Sequence, residues 1–261
     1  MKELIRKFLL VVCVCVFAYS AYQLTSIYLE YKGIEKDTEN LVEEFVGETV
    51  VDNGVQNNQT QDTETKEEKP KIDPLKRVIK FDELLKKNSD VVGWIYIPNT
   101  KIDEPLLKGA TNDTYLYTNI NKKKSAAGAI FIDQENEGNL LDSNTIIHGH
   151  NMKNGSRFHN LRYFLRSDYY KSHPYVYIYL PDGTVNIYEI FAANKISAYS
   201  DLYDAEVTYS SYVKAVQKGA SQKTTVSNQE SPLIMLSTCY DVKSNDRYTV
   251  HARLKENVRV N

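Results

Sequence analysis

The N-terminal part of the chain pairs a short basic segment with one long apolar run. Residues 1–7 carry Lys2, Arg6 and Lys7, and residues 8–29 are uncharged and mostly apolar. A helix of this length, rising about 1.5 Å per residue, spans the ~30 Å hydrocarbon core of a bilayer. The pattern predicts a transmembrane helix over 8–29, and the preceding positive charges predict a cytoplasmic N-terminus.

A cleaved signal peptide is the alternative interpretation of this run. Small residues such as Ala18, Ser20 and Ala21 lie near its end, where a signal peptidase would cut. No Ala-x-Ala site follows the run, which favours an uncleaved signal-anchor. Under either interpretation, everything after about residue 30 lies outside the cell membrane.

A polar and acidic stretch, residues 30–71, separates the apolar run from the rest of the chain. Residues 50–71 show no apolar periodicity and cannot bury enough surface to offset the entropy lost on ordering. We expect 30–71 to form an extracellular stalk, with a flexible linker over 50–71 and a short helix over 34–47.

Short apolar strands and amphipathic helices alternate over residues 72–261. The predicted helices are 74–88, a turn within 112–119, 157–170 and 209–220. The predicted strands are a pair around the Pro98–Thr100 turn, 129–132, 145–147, a hairpin over 175–193 with Asp182-Gly183 at its turn, 232–238 and 247–254. About eight strands with several decorating helices predict a mainly β domain, a closed or nearly closed β-barrel.

Charge and cysteine content limit the classes of function that the chain can have. Basic residues number 32 and acidic residues 34, whereas a nucleic-acid binder usually has a basic surplus, so no nucleic-acid partner is expected. Of three cysteines, Cys13 and Cys15 lie in the apolar run, which leaves Cys239 for the domain. A lone cysteine cannot form an internal disulfide, so Cys239 is either an inert core residue or a reactive thiol.

Three kinds of side chain that suit covalent catalysis lie at predicted strand ends. Cys239 ends an apolar run, so its sulfur can lie at the barrel rim, and Arg247 opens the next run after a polar loop. If that loop is a hairpin, the guanidinium returns to the level of the thiol, where it can stabilise a thiolate or an oxyanion. His148 and His150 share one face at the end of another strand, from which one of them can reach the thiol.

The histidines also have simpler interpretations. The His148-x-His150 spacing allows a metal site, but no third ligand is evident nearby, and no metal is expected. His251 lies inside an alternating strand and is interpreted as a packing or surface residue. His159 and His173 lie on or beside a predicted helix and are interpreted as solvated.

The residues around the thiol resemble the sortases, the membrane-anchored cysteine transpeptidases of Gram-positive bacteria. The family signature Thr-Leu-x-Thr-Cys, followed several residues later by Arg, corresponds to residues 235–239 and Arg247. The family's Gly-His-Asn-like segment corresponds to residues 149–151. The resemblance implies that Cys239 is the nucleophile, that His150 is the catalytic histidine, and that the arginine assists them.

The resemblance extends over residues 72–254 and is closest to class B. Residues 90–107, residues 150–161 and the predicted helix 209–220 carry the class B likeness. A sortase-type β-barrel, working without a metal or an organic cofactor, is what the resemblance implies.

Some positions depart from the family pattern or extend it. Met235 stands where the family usually has Thr, and His148 stands where class B members often have Tyr, which leaves substrate preference open. Asp241 matches a position at which an acidic residue has been proposed to orient the histidine. Ser237 and Thr238 flank the nucleophile and, with His148, are expected to shape the groove.

The resemblance also implies substrates and partners. A C-terminal sorting signal of a secreted protein, of the Asn-Pro-x-Thr type or a related one, would bind as an extended peptide and form a thioester with Cys239. An amine of a peptidoglycan precursor or of a pilin would then resolve the thioester. Two other functions stay open: an extracellular cysteine hydrolase using the same Cys/His pair, and a non-catalytic anchored binding module with a structural cysteine.

Overall fold

The computed structural model describes residues 2–48, 73–241 and 243–260 of the 261-residue chain. It divides into two compact units, one ending at Asn40 and the other beginning at Leu41. The predicted flexible linker over 50–71 lies outside the described residues.

Helix α1, Lys2–Phe45, contains the apolar run. In the part of the chain that the structure describes, it is the one helix long and apolar enough to cross a membrane. Apolar side chains such as Phe8, Leu9 and Phe17 are exposed along it, as a lipid-facing helix requires. The predicted long N-terminal apolar helix is therefore confirmed. A signal sequence would satisfy the same test, so the uncleaved anchor stays a prediction.

The remaining elements are all shorter than α1. The strands are β1 (Val46–Glu48), β2 (Arg77–Ile79), β3 (Val91–Tyr96), β4 (Asp103–Lys108), β5 (Ile130–Ile132), β6 (Asn144–His148), β7 (Tyr175–Tyr179), β8 (Thr184–Ser197), β9 (Gln222–Lys223), β10 (Leu233–Cys239) and β11 (Asp246–Arg259). The α-helices are α2 (Phe81–Lys87), α3 (Asp113–Leu116), α4 (Ser167–Ser172) and α5 (Tyr209–Lys218), and the 3-10 helices are Pro74–Lys76, Phe158–Leu165 and Asp201–Tyr203.

Eight of the strands close into a barrel in the order β11-β10-β6-β5-β4-β3-β7-β8, and β8 pairs with β11 to complete the circle. The β4–β5 and β6–β10 pairs are parallel, and the other barrel pairs are antiparallel. Strand β9 adds to β8, and β1 pairs with β2 outside the barrel. The predicted eight-stranded closed barrel with decorating helices is confirmed.

Two apolar clusters lie on opposite faces of the barrel strands. One takes side chains from all eight strands, among them Ile95, Ile178 and Leu236, and therefore lies inside the barrel. Alternate residues face the other way, so Trp94 next to Ile95 belongs to an outer cluster that α2 and the end of α1 cover. Phe45 from α1 is buried in that outer cluster.

The predicted helix over 74–88 is wrong in its first half. Pro74 starts a single 3-10 turn, which the Asp73 side chain caps, and β2 follows before α2 begins at Phe81. Strand β2 forms because β1 lies beside it as an antiparallel partner. That partner is distant in sequence, so local apolar spacing does not reveal it.

The predicted helix over 157–170 is also different. The structure has the 3-10 helix Phe158–Leu165 and then α4, separated by Arg166 in an extended conformation. Phe158, Leu161 and Phe164 are buried, and their spacing of three matches the three residues per turn of a 3-10 helix.

The structure tests the interpretations of His173 and His251. His173 is buried, with its ring stacked 3.9 Å from the Tyr169 ring, so the prediction that it is solvated is wrong. The stacked ring and a 2.8 Å hydrogen bond from its Nδ1 to the Tyr169 carbonyl explain the burial. His251 is fully buried, which agrees with a packing role.

The compact barrel unit includes residues that the sequence pattern assigns to the stalk. Leu41 and Phe45 are buried in the outer cluster, and the Lys80 N–H donates to the Phe45 carbonyl at 2.9 Å. The unit thus begins at Leu41, well before residue 72.

Candidate active site

Three adjacent strands carry the predicted residues to one end of the barrel. Cys239 is the last residue of β10 and is paired with Arg247 on β11. Strand β6 runs parallel to β10 on its other side, with His148 opposite Ser237. Because the two strands are parallel, the chain that continues past β6 brings His150 to the level of the thiol.

The predicted site residues, except Asp241, line one cleft of about 390 Å³. The cleft lining includes Cys239, His150, Arg247, His148, Ser237 and Thr238. A larger groove of about 770 Å³ lies beside α5 and contains none of these residues. The smaller cleft is therefore the candidate active site, at the point where strands predicted from separate parts of the chain meet.

A main-chain carbonyl holds the His150 ring. Its Nε2 lies 2.7 Å from the oxygen of Leu116, the last residue of α3. A carbonyl oxygen only accepts hydrogen bonds, so Nε2 carries a proton, and in the neutral imidazole the lone pair is on Nδ1. The ring is tilted against Tyr117, with 5.6 Å between the two ring centroids.

The surroundings of His150 favour its neutral form. Burial lowers the pKa of His150 below its ordinary value of 6.5, the Leu116 hydrogen bond opposes this shift, and the positive charge of Arg157 adds to it. His150 is therefore neutral at pH 7 and can accept a proton at Nδ1.

Hydrogen bonds fix the strand ends around the thiol. The Asn151 side chain donates to the Cys239 carbonyl at 2.8 Å, which ties the end of β10 to the segment that carries His150. The Cys239 side chain is partly exposed. Arg247 donates one hydrogen bond to the Asp246 carbonyl at 3.0 Å, and a guanidinium has further N–H donors for a substrate oxygen.

His148 belongs to a hydrogen-bonded wall of the cleft. Its Nε2 lies 2.7 Å from Asp133 Oδ2, and its ring stacks on Tyr203 at 6.3 Å with 6° between the planes. Burial raises the pKa of Asp133, but the hydrogen bond to His148 and those to other neighbours outweigh burial and lower the pKa to about 2. The Tyr203 hydroxyl lies 2.6 Å from Ser237 Oγ, so Asp133, His148, Tyr203 and Ser237 form a continuous polar surface.

The two histidines of the His-x-His sequence have different partners. The Nε2 atom of His148 faces a carboxylate, whereas that of His150 faces a carbonyl oxygen. Within residues 2–48, 73–241 and 243–260, no group of three or more His, Cys, Asp and Glu side chains is arranged to hold a metal ion.

Asp241 is not among the residues that line the cleft. It is exposed, and its carboxylate accepts a hydrogen bond from the Lys243 main chain at 3.1 Å. Among the described contacts, the hydrogen-bond partner of His150 is Leu116 instead. Thr238 is buried, and in the described part of the chain its hydroxyl has no hydrogen-bond partner.

Sequence reasoning missed Leu116, Asp133, Tyr203 and Asn151. Asp133 follows β5, and a polar residue directly after a buried strand is a usable signal. Asn151 stands next to His150 and could have been weighed with it. Leu116 acts through its main-chain oxygen, so its side chain gives no signal at all.

The comparisons with known proteins agree with this geometry. The family model described as "Sortase domain" matches residues 95–255, which is more than half of the chain. The chain therefore belongs to the sortase family.

Relatives with known class place the chain in class B. The Listeria monocytogenes protein Sortase B is 39% identical over 164 residues, which cover 60% of this chain and 65% of that relative. The X-ray structure of Clostridium perfringens sortase B is 31% identical with a TM-score of 0.63, covering 68% of this chain and 100% of that one. The Staphylococcus aureus sortase B–substrate complex is 26% identical with a TM-score of 0.63, covering 69% and 85%. The match spans just under two thirds of the Listeria protein, so activity and substrates are proposals.

Proposed function

We propose that the protein is a membrane-anchored cysteine transpeptidase that cleaves a C-terminal sorting signal and transfers the acyl group to an amine. The observation that carries the proposal is the single cleft at which Cys239, Arg247 and His150 meet from three adjacent strands. Membership of class B of the sortase family supports the same chemistry.

The first step is acylation of Cys239. Neutral His150 takes the thiol proton at Nδ1, and the resulting thiolate attacks the carbonyl carbon of the scissile threonine. A sulfur–carbon bond forms while the carbonyl electron pair moves to oxygen. The burial that lowers the pKa of His150 also makes the imidazolium a strong acid, which is suited to the next proton transfer.

The oxyanion needs positive partners in the cleft. Arg247 lies opposite Cys239 on β11 and donates from its guanidinium, together with a main-chain N–H. Collapse of the tetrahedral intermediate breaks the carbon–nitrogen bond, and the His150 imidazolium gives its proton to the leaving amine. The thioester remains on Cys239.

The second step returns the enzyme to its starting state. An acceptor amine attacks the thioester carbon, His150 takes the proton of that amine, and Cys239 leaves as a thiolate that is reprotonated. We assign the acceptor to a peptidoglycan precursor or a pilin amine, and the donor to secreted proteins with an Asn-Pro-x-Thr-like signal. The polar wall that contains His148, with Ser237 and Thr238 beside the nucleophile, lines the groove for that signal.

The proposed placement follows from α1. Residues 1–7 lie in the cytoplasm, 8–29 cross the cell membrane, and the chain that follows, including the barrel unit, lies on the extracellular side. Enzyme, substrate and lipid-linked acceptor then share one membrane, which raises their effective concentration.

The test is an intact-mass measurement on the full chain in detergent. The chain is incubated with Asn-Pro-x-Thr-x and x-Pro-x-Thr-Gly peptides, with and without triglycine as acceptor. We expect an added mass equal to the peptide's acyl part, and a triglycine-linked product when the amine is present. The chain supplies a matched control pair: Cys239→Ala abolishes the adduct, whereas Cys13→Ala/Cys15→Ala retains it.

Other outcomes select the alternative functions. Release of the free acid in the presence of saturating triglycine identifies a hydrolase. A Cys239 that neither acylates nor reacts with iodoacetamide in the folded chain removes the nucleophile and favours a binding module.

A further inference from the structure

A buried ion pair lies behind the active-site histidine, outside the cleft lining. Arg157 donates from Nη1 to Oε2 of Glu104, and the two side chains are 7% and 3% exposed. Glu104 belongs to β4, and Arg157 directly precedes the 3-10 helix Phe158–Leu165. Replacing one partner of such a pair leaves an uncompensated buried charge, so the two side chains act as a unit.

The rest of the Arg157 guanidinium holds main-chain carbonyls. Its Nη2 donates to the Gly128 carbonyl at 2.9 Å, and its Nε lies 3.2 Å from the same oxygen and 3.3 Å from that of Ala127. Gly128 has a φ of +51°, and a Cβ at that position would overlap the Leu116 oxygen. Gly128, whose carbonyl accepts the Arg157 hydrogen bonds, is therefore packed directly against the Leu116 carbonyl, which accepts the hydrogen bond of the His150 ring.

The main chain around Arg157 contacts the histidine segment from the other side. The Phe158 N–H donates to the His150 carbonyl at 3.0 Å, and Asn151 and Arg157 form an antiparallel bridge. Arg157 has a φ of +55°, which L-residues rarely adopt, so its surroundings must hold it there. One residue thus links the main chain of His150 to the hydrogen-bond partner of its ring.

We propose that the Glu104–Arg157 pair is a positioning device for His150, an inference that rests on the role given to His150 in the proposed function. Glu104 fixes the guanidinium, and Arg157 fixes the Leu116 carbonyl through Gly128. The His150 ring then keeps its proton on Nε2 and its lone pair on Nδ1. When the hydrogen bonds of Arg157 to this segment are lost, the Nδ1–H tautomer of His150 is populated as well. That tautomer has no lone pair at Nδ1 with which to accept the thiol proton.

The variants are chosen to separate positioning from folding. Glu104→Met/Arg157→Met removes both charges together and retains similar volume, so no buried charge is left unpaired. The control is Arg77→Met/Asp103→Asn, which removes another ion pair of the barrel, with a 2.8 Å contact; its arginine is fully buried, its aspartate is 20% exposed, and neither residue lines the cleft. Near-ultraviolet circular dichroism and thermal melting check the fold of both full-length variants in detergent micelles.

The deciding readout is the ring tautomer of His150. Its nitrogens are observed by NMR in the full chain labelled with ¹⁵N-histidine and assigned with a His150→Gln variant. We expect the Nε2–H tautomer in the wild type and in the control, and a mixture of tautomers in Glu104→Met/Arg157→Met. We also expect kcat for peptide cleavage to fall about tenfold to hundredfold in that variant, with KM changed less than about twofold.

Three results have distinct meanings. An Nδ1–H tautomer in the wild type overturns the inference without any variant. A folded double variant with wild-type tautomer and kcat also overturns it and leaves the pair a purely structural contact. If the wild type turns over none of the peptides while the double variant still shifts the tautomer, the positioning inference stands and the proposed function fails.

Discussion

His150 has both properties that a proton-transfer group in the cleft requires. Burial favours the neutral ring, and the Leu116 carbonyl selects which nitrogen carries the proton. Neither property depends on a carboxylate partner, because the carbonyl oxygen serves as the orienting acceptor. Under the proposed mechanism, the protonation state of this one residue therefore sets the pH range in which Cys239 can be activated.

We predict that His150 titrates below pH 6.5 in the folded chain. The nearby titratable and charged groups are Arg157 behind the ring and Tyr117 beside it, and the same cleft is lined by Cys239, Arg247, His148, Asp133 and Tyr203. Burial and the charge of Arg157 both disfavour the imidazolium, so protonation requires a lower pH than in the unfolded chain.

NMR titration of the His150 ring measures its pKa in the folded chain. The control is the chain unfolded in urea, where a pKa near 6.5 is expected. The acid limb of kcat/KM for peptide cleavage should fall in the same range, below 6.5, because it reports the base of the free enzyme. A folded-state value above 6.5 would mean that burial and Arg157 do not control the protonation of the ring.

A second prediction concerns Asp241, which the family resemblance offers as an orienting acid. Its exposed carboxylate accepts the Lys243 N–H, and an asparagine oxygen can accept the same bond. Asp241→Asn should therefore keep kcat/KM within about twofold of the wild type, because surface contacts of this kind contribute little. Steady-state kinetics of peptide cleavage measure kcat/KM of Asp241→Asn, with His150→Gln as the inactive reference. A loss as large as that of His150→Gln would restore Asp241 as the orienting group.

These residues show what sequence can predict about the site. Cys239 and Arg247 could be predicted to lie together because each borders an apolar run, and strand ends in a barrel meet at its rim. The same reasoning placed His148 and His150 there, but the choice of His150 came from the family resemblance. Leu116 was not predictable, since its contribution is a carbonyl oxygen placed by α3. The Arg157–Glu104 contact joins positions 53 residues apart in sequence, and no local pattern reports it.

At the scale of elements, strands were predicted better than helices. The residues of a barrel strand alternate between an inner and an outer face. In this barrel both faces pack into apolar clusters, so β3, β7 and β10 are apolar runs bounded by turns. The helix over 157–170 failed because Phe158, Leu161 and Phe164 repeat every three residues, a spacing that α and 3-10 helices share over one turn.

Strand β11 carries a buried histidine, His251. His251 is fully buried between the Tyr212 hydroxyl, 3.1 Å from Nδ1, and Thr249 Oγ1, 3.0 Å from Nε2. Burial lowers its pKa to about 3. Between that value and the unfolded-state value of about 6.5, the unfolded chain binds one proton more than the folded chain at this site.

We therefore predict that stability falls as the pH falls through this window. The contribution of His251 is about 1.4 kcal/mol of unfolding free energy per pH unit between pH 6.5 and 3, and it is absent above pH 7. Urea unfolding from pH 4 to 8 measures the slope, and His251→Asn, which cannot be protonated, should show a slope smaller by that amount. Equal slopes in the two proteins would mean that His251 is protonated inside the folded barrel.

At the scale of the whole molecule, the question is where the barrel domain begins. Composition separates an acidic, low-complexity stretch from the domain at about residue 72. The structure, however, adds Leu41, Phe45 and β1 to the outer face of the barrel. Periodicity over so few residues cannot distinguish a solvated stalk helix from a docked one, because the deciding partners, such as Trp94 and Leu84, are far away in sequence.

The last prediction tests that boundary through Phe45. Its side chain is 1% exposed, the Lys87 ammonium lies 4.8 Å from the centre of its ring, and Glu44 pairs with the same lysine at 2.8 Å. Phe45→Ala should lower the free energy of unfolding by about 3 to 5 kcal/mol, as for other buried phenylalanines. Val78→Ala on neighbouring β2, where the side chain is 45% exposed, should change it by no more than about 0.5 kcal/mol.

Urea unfolding of the two variants in detergent decides between the two boundaries. If Phe45→Ala is as stable as Val78→Ala, the outer cluster does not need the end of α1, and the domain can be cut near residue 72 without loss. If the expected difference is found, a domain cut at residue 72 lacks part of its own core. Low activity of such a fragment would then reflect instability of the barrel that holds Cys239, and would say nothing against the proposed chemistry.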